Sequence, residues 1–242
     1  MESNRKALIV LFTLVLTSFI VFCAEMKFLV PSPRGSSMEN YKDIEFADKI
    51  ILLVEDFEGL DTTKINLKRE NFFDYGSAKI SVDEAVVDNN VLSSKAALKV
   101  KWTGSDAYGG WGKGIGANVD LDTATDYLNF RIYVPKDTLG AETIRIILEE
   151  DDDDDGKLQK DKDDAWYYEV NIADKGKWKM VSIPLRDFKD DNGGGDHKFN
   201  VNKKGGLHTI IFGFQHPEKY AVNQAWYFDF ICFTHGKLPE GT

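Results

Sequence analysis

From Lys49 onward the chain alternates apolar and polar residues with a period of two. Over Tyr127–Val134, Leu128, Phe130, Ile132 and Val134 fall on one side, and Tyr127, Asn129, Arg131 and Tyr133 on the other. Thr143–Glu149 puts Ile144, Ile146 and Leu148 inward and Arg145 outward, and Trp166–Ile172 sets Trp166, Tyr168, Val170 and Ile172 against Tyr167, Glu169 and Asn171. The spacing predicts half-buried strands, because successive side chains in a strand point to opposite faces. Ile50–Phe57 reads as a buried run, and Lys79–Val82, Ala97–Trp102, Trp178–Leu185, Thr209–Gln215 and Trp226–Phe233 complete the set. Turn chemistry separates them at Gly104, Asp137, Asp174–Gly176, Asn192–Gly195 and Gly205–Gly206. No amphipathic helix and no internal repeat is evident in this region. Many short strands at this spacing predict an all-β sandwich of the jelly-roll kind.

The start of the chain has a different pattern. Arg5 and Lys6 precede an apolar run from Ala7 to Cys23, broken only by Thr13, Thr17 and Ser18. A short basic region before such a run reads as a signal peptide over residues 1–24, cut after Cys23 or Ala24. An uncleaved anchor is the competing reading. Polar sequence from Glu25 and the lack of a basic cluster after Ala24 favour cleavage, leaving no stable membrane insertion. Residues 25–48, with Pro31, Pro33, Gly35, Ser36 and Ser37, read as an extended arm before a β-sandwich domain over 49–242.

The formal net charge of −10 falls by one more unit when the signal is removed. An acidic, exported product is a poor partner for nucleic acid or anionic lipid, both of which need an excess of Lys and Arg. Two cysteines, Cys23 and Cys232, exclude a disulfide framework, and Cys232 in an aromatic strand reads as a buried, inert thiol. No Gly-x-Ser-x-Gly, His-Glu-x-x-His or Cys-x-x-Cys motif is present, and the four histidines show no ligand-like pairing. The enzyme classes with a local signature are therefore disfavoured. In the acidic run Glu149–Asp155, the residues Asp151, Asp153, Asp155 and Gly156 match the first half of a calcium loop. Position twelve of that loop is Lys162 where a bidentate Glu is needed, so the run reads as a solvated hairpin loop.

Several segments together resemble the galactose-binding-like jelly roll of carbohydrate-binding modules. They are Glu55-Asp56-Phe57-Glu58-Gly59, Ala97–Trp102, Tyr127–Tyr133, Trp178–Leu185 and Trp226–Ile231. Within that fold, the export signal, the short arm and the first strand Ile51–Glu58 resemble the flagellar filament outer-layer (sheath) proteins of spirochaetes. The resemblance implies a non-enzymatic protein of the periplasmic flagellum. It would coat a flagellin core, contact that core and neighbouring sheath subunits directly or through glycans, and affect filament shape and motility. The alternative it implies is a carbohydrate-binding protein of the periplasm or cell surface. It also implies a structural calcium tying first strand to last, with Glu55, Glu58 and Asp229 as its candidate ligands.

The polar phase nominates contact residues for either role. Arg131, Tyr133, Arg145, Tyr167 and Glu169 lie opposite the core phase and are expected to share one open sheet face, where rings stack on sugars or subunits pack. Tyr108 and Trp111 lie among Gly104, Gly109, Gly110, Gly112, Gly114 and Gly116. Glycines at that density predict a loop at the sandwich edge that displays both rings to a partner.

Overall fold

A computed structural model describes residues 44–58, 71–83, 94–104, 106–138, 143–172, 174–203, 205–215 and 224–239. Residues 1–24, where a signal peptide is expected, and residues 25–43 of the expected arm lie outside the described residues. The strands are β1 (Ile50–Glu55), β2 (Phe72–Gly76), β3 (Ala78–Asp83), β4 (Ala97–Trp102), β5 (Tyr108–Ala117) and β6 (Asp126–Tyr133). They continue as β7 (Thr143–Glu150), β8 (Ala165–Asn171), β9 (Trp178–Pro184), β10 (Lys189–Asp190), β11 (Leu207–Gln215) and β12 (Ala225–His235). One sheet runs β3-β4-β12-β6-β9, with β1 also pairing β12; the other runs β10-β8-β7-β11-β5-β2. All the pairings are antiparallel, as expected of a sandwich in which each sheet buries one face.

The expected alternation holds in the core. Leu128, Phe130, Ile132 and Val134 from β6 and the residue after it meet Ile144, Ile146 and Leu148 of β7, and all are at most 3% exposed. Trp111 lies at the centre. Its ring stacks on Phe212 at 4.7 Å and meets Phe228 edge-on at 5.3 Å, which joins β5 and β11 of one sheet to β12 of the other. Offset and edge-on ring pairs of this kind add about 0.5–1.5 kcal/mol each beyond burial.

The glycine-rich segment departs from expectation. Tyr108–Ala117 is no loop but a ten-residue strand held between β11 and β2. Trp111 is accordingly core, 0% exposed, and cannot meet a partner. The reason is phase: Trp111 and Lys113 point between the sheets, while Gly110, Gly112 and Gly114 occupy outward positions. Glycine weakens a strand through backbone entropy, but both neighbours saturate the hydrogen bonds here, and the inward Trp packs the whole core. β2 and the two-residue β10 have no counterpart in the sequence reading.

Lys113 carries its ammonium inward to Glu55 of β1, 2.8 Å from Oε2, with both side chains almost fully buried. It also lies 4.2 Å above the Phe72 ring. Glu55 Oε1 accepts the backbone N–H groups of Asp56 and Phe57. The pair crosses from one sheet to the other.

The last residues of the expected arm belong to the domain. Phe46 is 1% exposed and packs edge-on to Phe230 at 6.0 Å, in a small cluster with Leu53, Cys232 and Leu238 on the outer side of the first sheet. A bulge in β12 creates this cluster. The register with β6 shifts between Asp229 and Cys232, and Phe230 takes φ +47°. One extra residue lets Phe228, Ile231 and Phe233 point into the main core while Phe230 and Cys232 point out. Burial pushes the Cys232 thiol well above its usual range, consistent with an inert side chain.

Trp111→Ala is expected to cost about 3–5 kcal/mol, as for a large aromatic deleted from a packed core. Glu55→Ala is expected to cost a similar amount, about 3–5 kcal/mol, because it strands a buried ammonium. Urea denaturation of each variant against wild type measures both.

Candidate functional site

The register of the second sheet defines its outer face. Across one row, Lys189 pairs with Tyr167, Tyr167 with Ile147, Ile147 with Ile211, Ile211 with Gly112 and Gly112 with Phe73. The next row runs Glu169, Arg145, Gly213, Gly110, Tyr75. On the other side of the first row lie Ala165, Glu149, Thr209 and Gly114. Tyr75, Ile147, Ala165 and Ile211 form an apolar cluster there, with Phe73, Tyr108 and Tyr167 packed against it and half-buried. Five inter-strand gaps of about 4.8 Å make this face about 24 Å wide.

The outward glycines shape the surface. A Cβ on Gly110 would fall 2.6 Å from the Tyr75 hydroxyl oxygen, and one on Gly213 would fall 2.9 Å from the same oxygen. A Cβ on Gly112 would run into the Phe73 ring. Both rings therefore lie down across the bare backbone of β5, and Tyr75 reaches as far as β11. Any larger residue at these positions would stand them up. Tyr75, Ile147 and Ile211 are at most 4% exposed, so the half-buried rings of Phe73, Tyr108 and Tyr167 are the aromatic groups this face offers to solvent.

Its β8 end is polar. The Arg145 guanidinium sits 3.8 Å from the centre of the Tyr167 ring. It pairs with exposed Glu169 at 3.2 Å and also with Asp191. Burial raises the Asp191 carboxyl above the usual range, and Arg145 opposes that shift. Glu149, 0% exposed, makes no well-formed hydrogen bond. Burial pushes its carboxyl up to about 8, with a further push from Asp191 and Asp163 and a pull down from the Thr209 hydroxyl. At neutral pH it is therefore largely protonated and able to donate.

The sequence-selected residues fall on two faces rather than one. Arg145, Tyr167, Glu169 and Tyr108 share the outer face just described. Arg131 and Tyr133 stand on the outer face of the other sheet, because β6 and β7 belong to opposite layers although they follow each other in sequence. There Arg131 lies 5.2 Å from the Trp178 ring, and Tyr133 contacts Trp178 and Tyr227 at 5.7 and 6.0 Å. Those rings are inclined by 46° and 63°, so they form a ridge, not a flat surface. Arg131 is 2% exposed and faces Asp229 across the strands. Sequence reasoning missed Phe73, Tyr75, Ile147, Ile211 and Asp191. The available signal was the alternation of glycines around Trp111, which marks the bare side of a strand.

The three residues implied as calcium ligands also separate. Glu55 is engaged by Lys113 and does not fit a cation site. Glu58 Oε1 accepts the Ser94 hydroxyl at 3.0 Å and the backbone N–H groups of Lys95 and Ala96. Asp229 Oδ1 accepts the backbone N–H of Phe230 at 2.7 Å, and burial pushes its carboxyl up to about 7, with Glu58 adding to the rise and Ser94 and Arg131 opposing it. Glu58 thus lies close enough to Asp229 to act on its charge, and two hard carboxylates so placed suit calcium.

These features define a class: an antiparallel jelly-roll sandwich with half-buried aromatic rings on one outer face. The chain matches the model of the surface glycan-binding protein B xyloglucan-binding domain over residues 47–231, and it belongs to that family. Among solved structures it is similar to the family 11 carbohydrate-binding module of a cellulosomal cellulase of Clostridium thermocellum, at 19% identity, covering 78% of this chain and 96% of that one with a TM-score of 0.48. The solution structure of CtCBM11 is similar at 18% identity, with 77% and 95% covered and a TM-score of 0.51. At such identities the likeness bears on the fold alone. No curated protein sequence matches.

Raised carboxyl groups give a pH signature. Glu149 and Glu150 are pushed up to about 8 and Asp163 to about 6, in each case first by burial. A carboxyl raised on folding holds its proton more tightly in the folded state. The stability it contributes is full below the unfolded value and is lost as pH rises through the folded one. In metal-free buffer the melting temperature is therefore expected to fall between pH 5 and pH 8.5. Glu149→Gln is expected to flatten part of that slope, read by differential scanning fluorimetry across the range.

Proposed function

We propose that this chain is a non-catalytic carbohydrate-binding protein that holds a β-glucan such as xyloglucan on the outer face of its second sheet. The observation that carries the reading is the half-buried Phe73 ring lying across Gly112, on a face where Tyr108 and Tyr167 are also half-buried and β5 presents glycines. Pyranose rings present flat C–H faces that stack on aromatic rings, and their hydroxyls bond to charged and amide groups at the rim. Tyr167 and Tyr108 flank the surface, and Arg145, Glu169 and Asp191 supply the polar rim at one end. Membership of a family named for xyloglucan binding supports the substrate class. The site lies across strands, which suits an extended polymer more than a small sugar.

An exported, surface-exposed location accords with this role and with the signal-like start of the chain. No helix among the described residues is long and apolar enough to cross a membrane. The sheath-subunit expectation draws no support from the family match, and the carbohydrate-binding alternative is the better supported of the two. A structural calcium between Glu58 and Asp229 remains part of the proposal, as a tie between the chain after β1 and β12.

Affinity electrophoresis through gels containing xyloglucan tests the assignment. The wild type is expected to be retarded. Tyr167→Ala and Tyr108→Ala are each expected to weaken binding by roughly tenfold with little change in melting temperature, since one lost stacking contact is worth about 0.5–1.5 kcal/mol. Tyr133→Ala, on the opposite sheet, is expected to bind as wild type. Equal retardation of all variants would remove the site from this face. Failure to bind any polysaccharide, with recovery alongside purified periplasmic flagella, would return the protein to filament assembly.

A further inference from the structure

Beyond the aromatic face, the connections at one end of the second sheet gather many aspartates. The β7–β8 connection closes on itself: Asp152 Oδ2 accepts the Asp164 N–H at 2.9 Å, and Asp163 Oδ1 accepts the Asp152 N–H at 3.0 Å. The segment after β10 folds over this closure. Asn192 donates to the carbonyls of Lys160 and Asp163 and accepts from the Ala165 N–H. Gly194 and Gly195 then lie so close that a Cβ on the first would meet the Lys160 carbonyl and one on the second the Asp164 carboxylate. Backbone without side chains is thus pressed onto a carboxylate.

That carboxylate is 0% exposed. Asp164 Oδ2 accepts the N–H groups of Asp196 and Lys198 at 3.2 and 3.3 Å. Oδ1, equally buried, has no hydrogen-bond partner. A buried carboxylate oxygen without a donor is costly unless a cation neutralises it. Carboxylate oxygens of Asp152, Asp164 and Asp196 lie within 4.8 Å of one another. Calcium binds oxygen at about 2.3–2.6 Å, so two of its ligands stand at most about 5 Å apart.

We propose that Asp152, Asp164 and Asp196 form a calcium site, distinct from Glu58 and Asp229, that clamps the segment after β10 onto the β7–β8 connection. Three carboxylates and no nitrogen or sulfur ligand select a hard cation. Asp190 and His197 also lie close to Asp164 but bond each other at 2.6 Å, so they are less available. Lys198 and Lys203 approach Asp196 at 3.8 and 3.6 Å with exposed side chains, and such pairs are weak enough to yield to a divalent ion. The raised Asp152 and Asp164 carboxyls accord with this, since after burial the remaining upward pushes come from neighbouring aspartates. The proposal does not depend on glycan binding.

Isothermal titration of the metal-stripped full chain with calcium chloride tests it. Wild type is expected to bind calcium, and its melting temperature to rise by several degrees at saturation. Asp196→Asn, at an exposed position that folding tolerates, is expected to lose one binding event or weaken it at least tenfold and to lose part of the thermal shift. Asp152→Asn is expected to do the same. Asp229→Asn, which disturbs the other site, is expected to leave that event intact. The proposal is overturned if wild type binds no calcium at millimolar concentration, or if Asp152→Asn and Asp196→Asn keep full stoichiometry and affinity. It is equally overturned if only Asp153→Asn, in the adjacent acidic loop, removes the event.

Discussion

The alternation within β5 governs the rest of the molecule. Inward, Trp111 stacks on Phe212 and meets Phe228, and Lys113 reaches Glu55, so one strand supplies both the centre of the core and the main polar link between the sheets. Outward, the same strand presents almost nothing. That emptiness lets Phe73 and Tyr75 of β2 recline across it. Core and candidate binding surface are two sides of one residue pattern. A change of phase in β5 would destroy both together.

Much of this architecture was legible from period two alone. The inward sets on β6, β7 and β8 stand where the alternation put them, because a half-buried strand needs no information beyond its own sequence. The glycine-rich segment was not legible by the same rule. A local reading weighs glycine as a strand breaker, whereas here the neighbours β2 and β11 complete its hydrogen bonds and a single tryptophan anchors it. The pairing of faces failed for a related reason. Phase tells which residues of a strand share a side, but only topology tells which sheet the strand joins. Arg131 and Arg145 share a phase and stand on opposite outer surfaces. The β12 bulge adds one more non-local fact, since its extra residue reverses the phase from Phe230 onward.

The candidate metal residues show the same limit at the level of side chains. Glu55 sits in an apparently acidic motif, yet its partner is a lysine 58 positions away. Glu58 and Asp229 are remote in sequence, and only the fold brings them close enough for one to raise the carboxyl of the other. Asp164 differs from the other aspartates of its acidic connection by a buried carboxylate oxygen without a hydrogen-bond partner and by the glycine laid over it. Neither property is visible in a run of like charges.

The Lys113–Glu55 pair bears on how the chain reaches this arrangement. β1 and β5 lie in different sheets and are remote in sequence, so many misaligned sandwiches would bury comparable apolar area. If β5 slid by two residues, Trp111 or Ile115 would face Glu55, and a carboxylate and an ammonium would each be sealed in hydrocarbon without a counter-charge. Burying either alone costs far more than burying them paired. The pair thus acts as a checksum on alignment: it adds little to the depth of the native state but raises the energy of its near neighbours, and so narrows the ensemble to one packing of the two sheets.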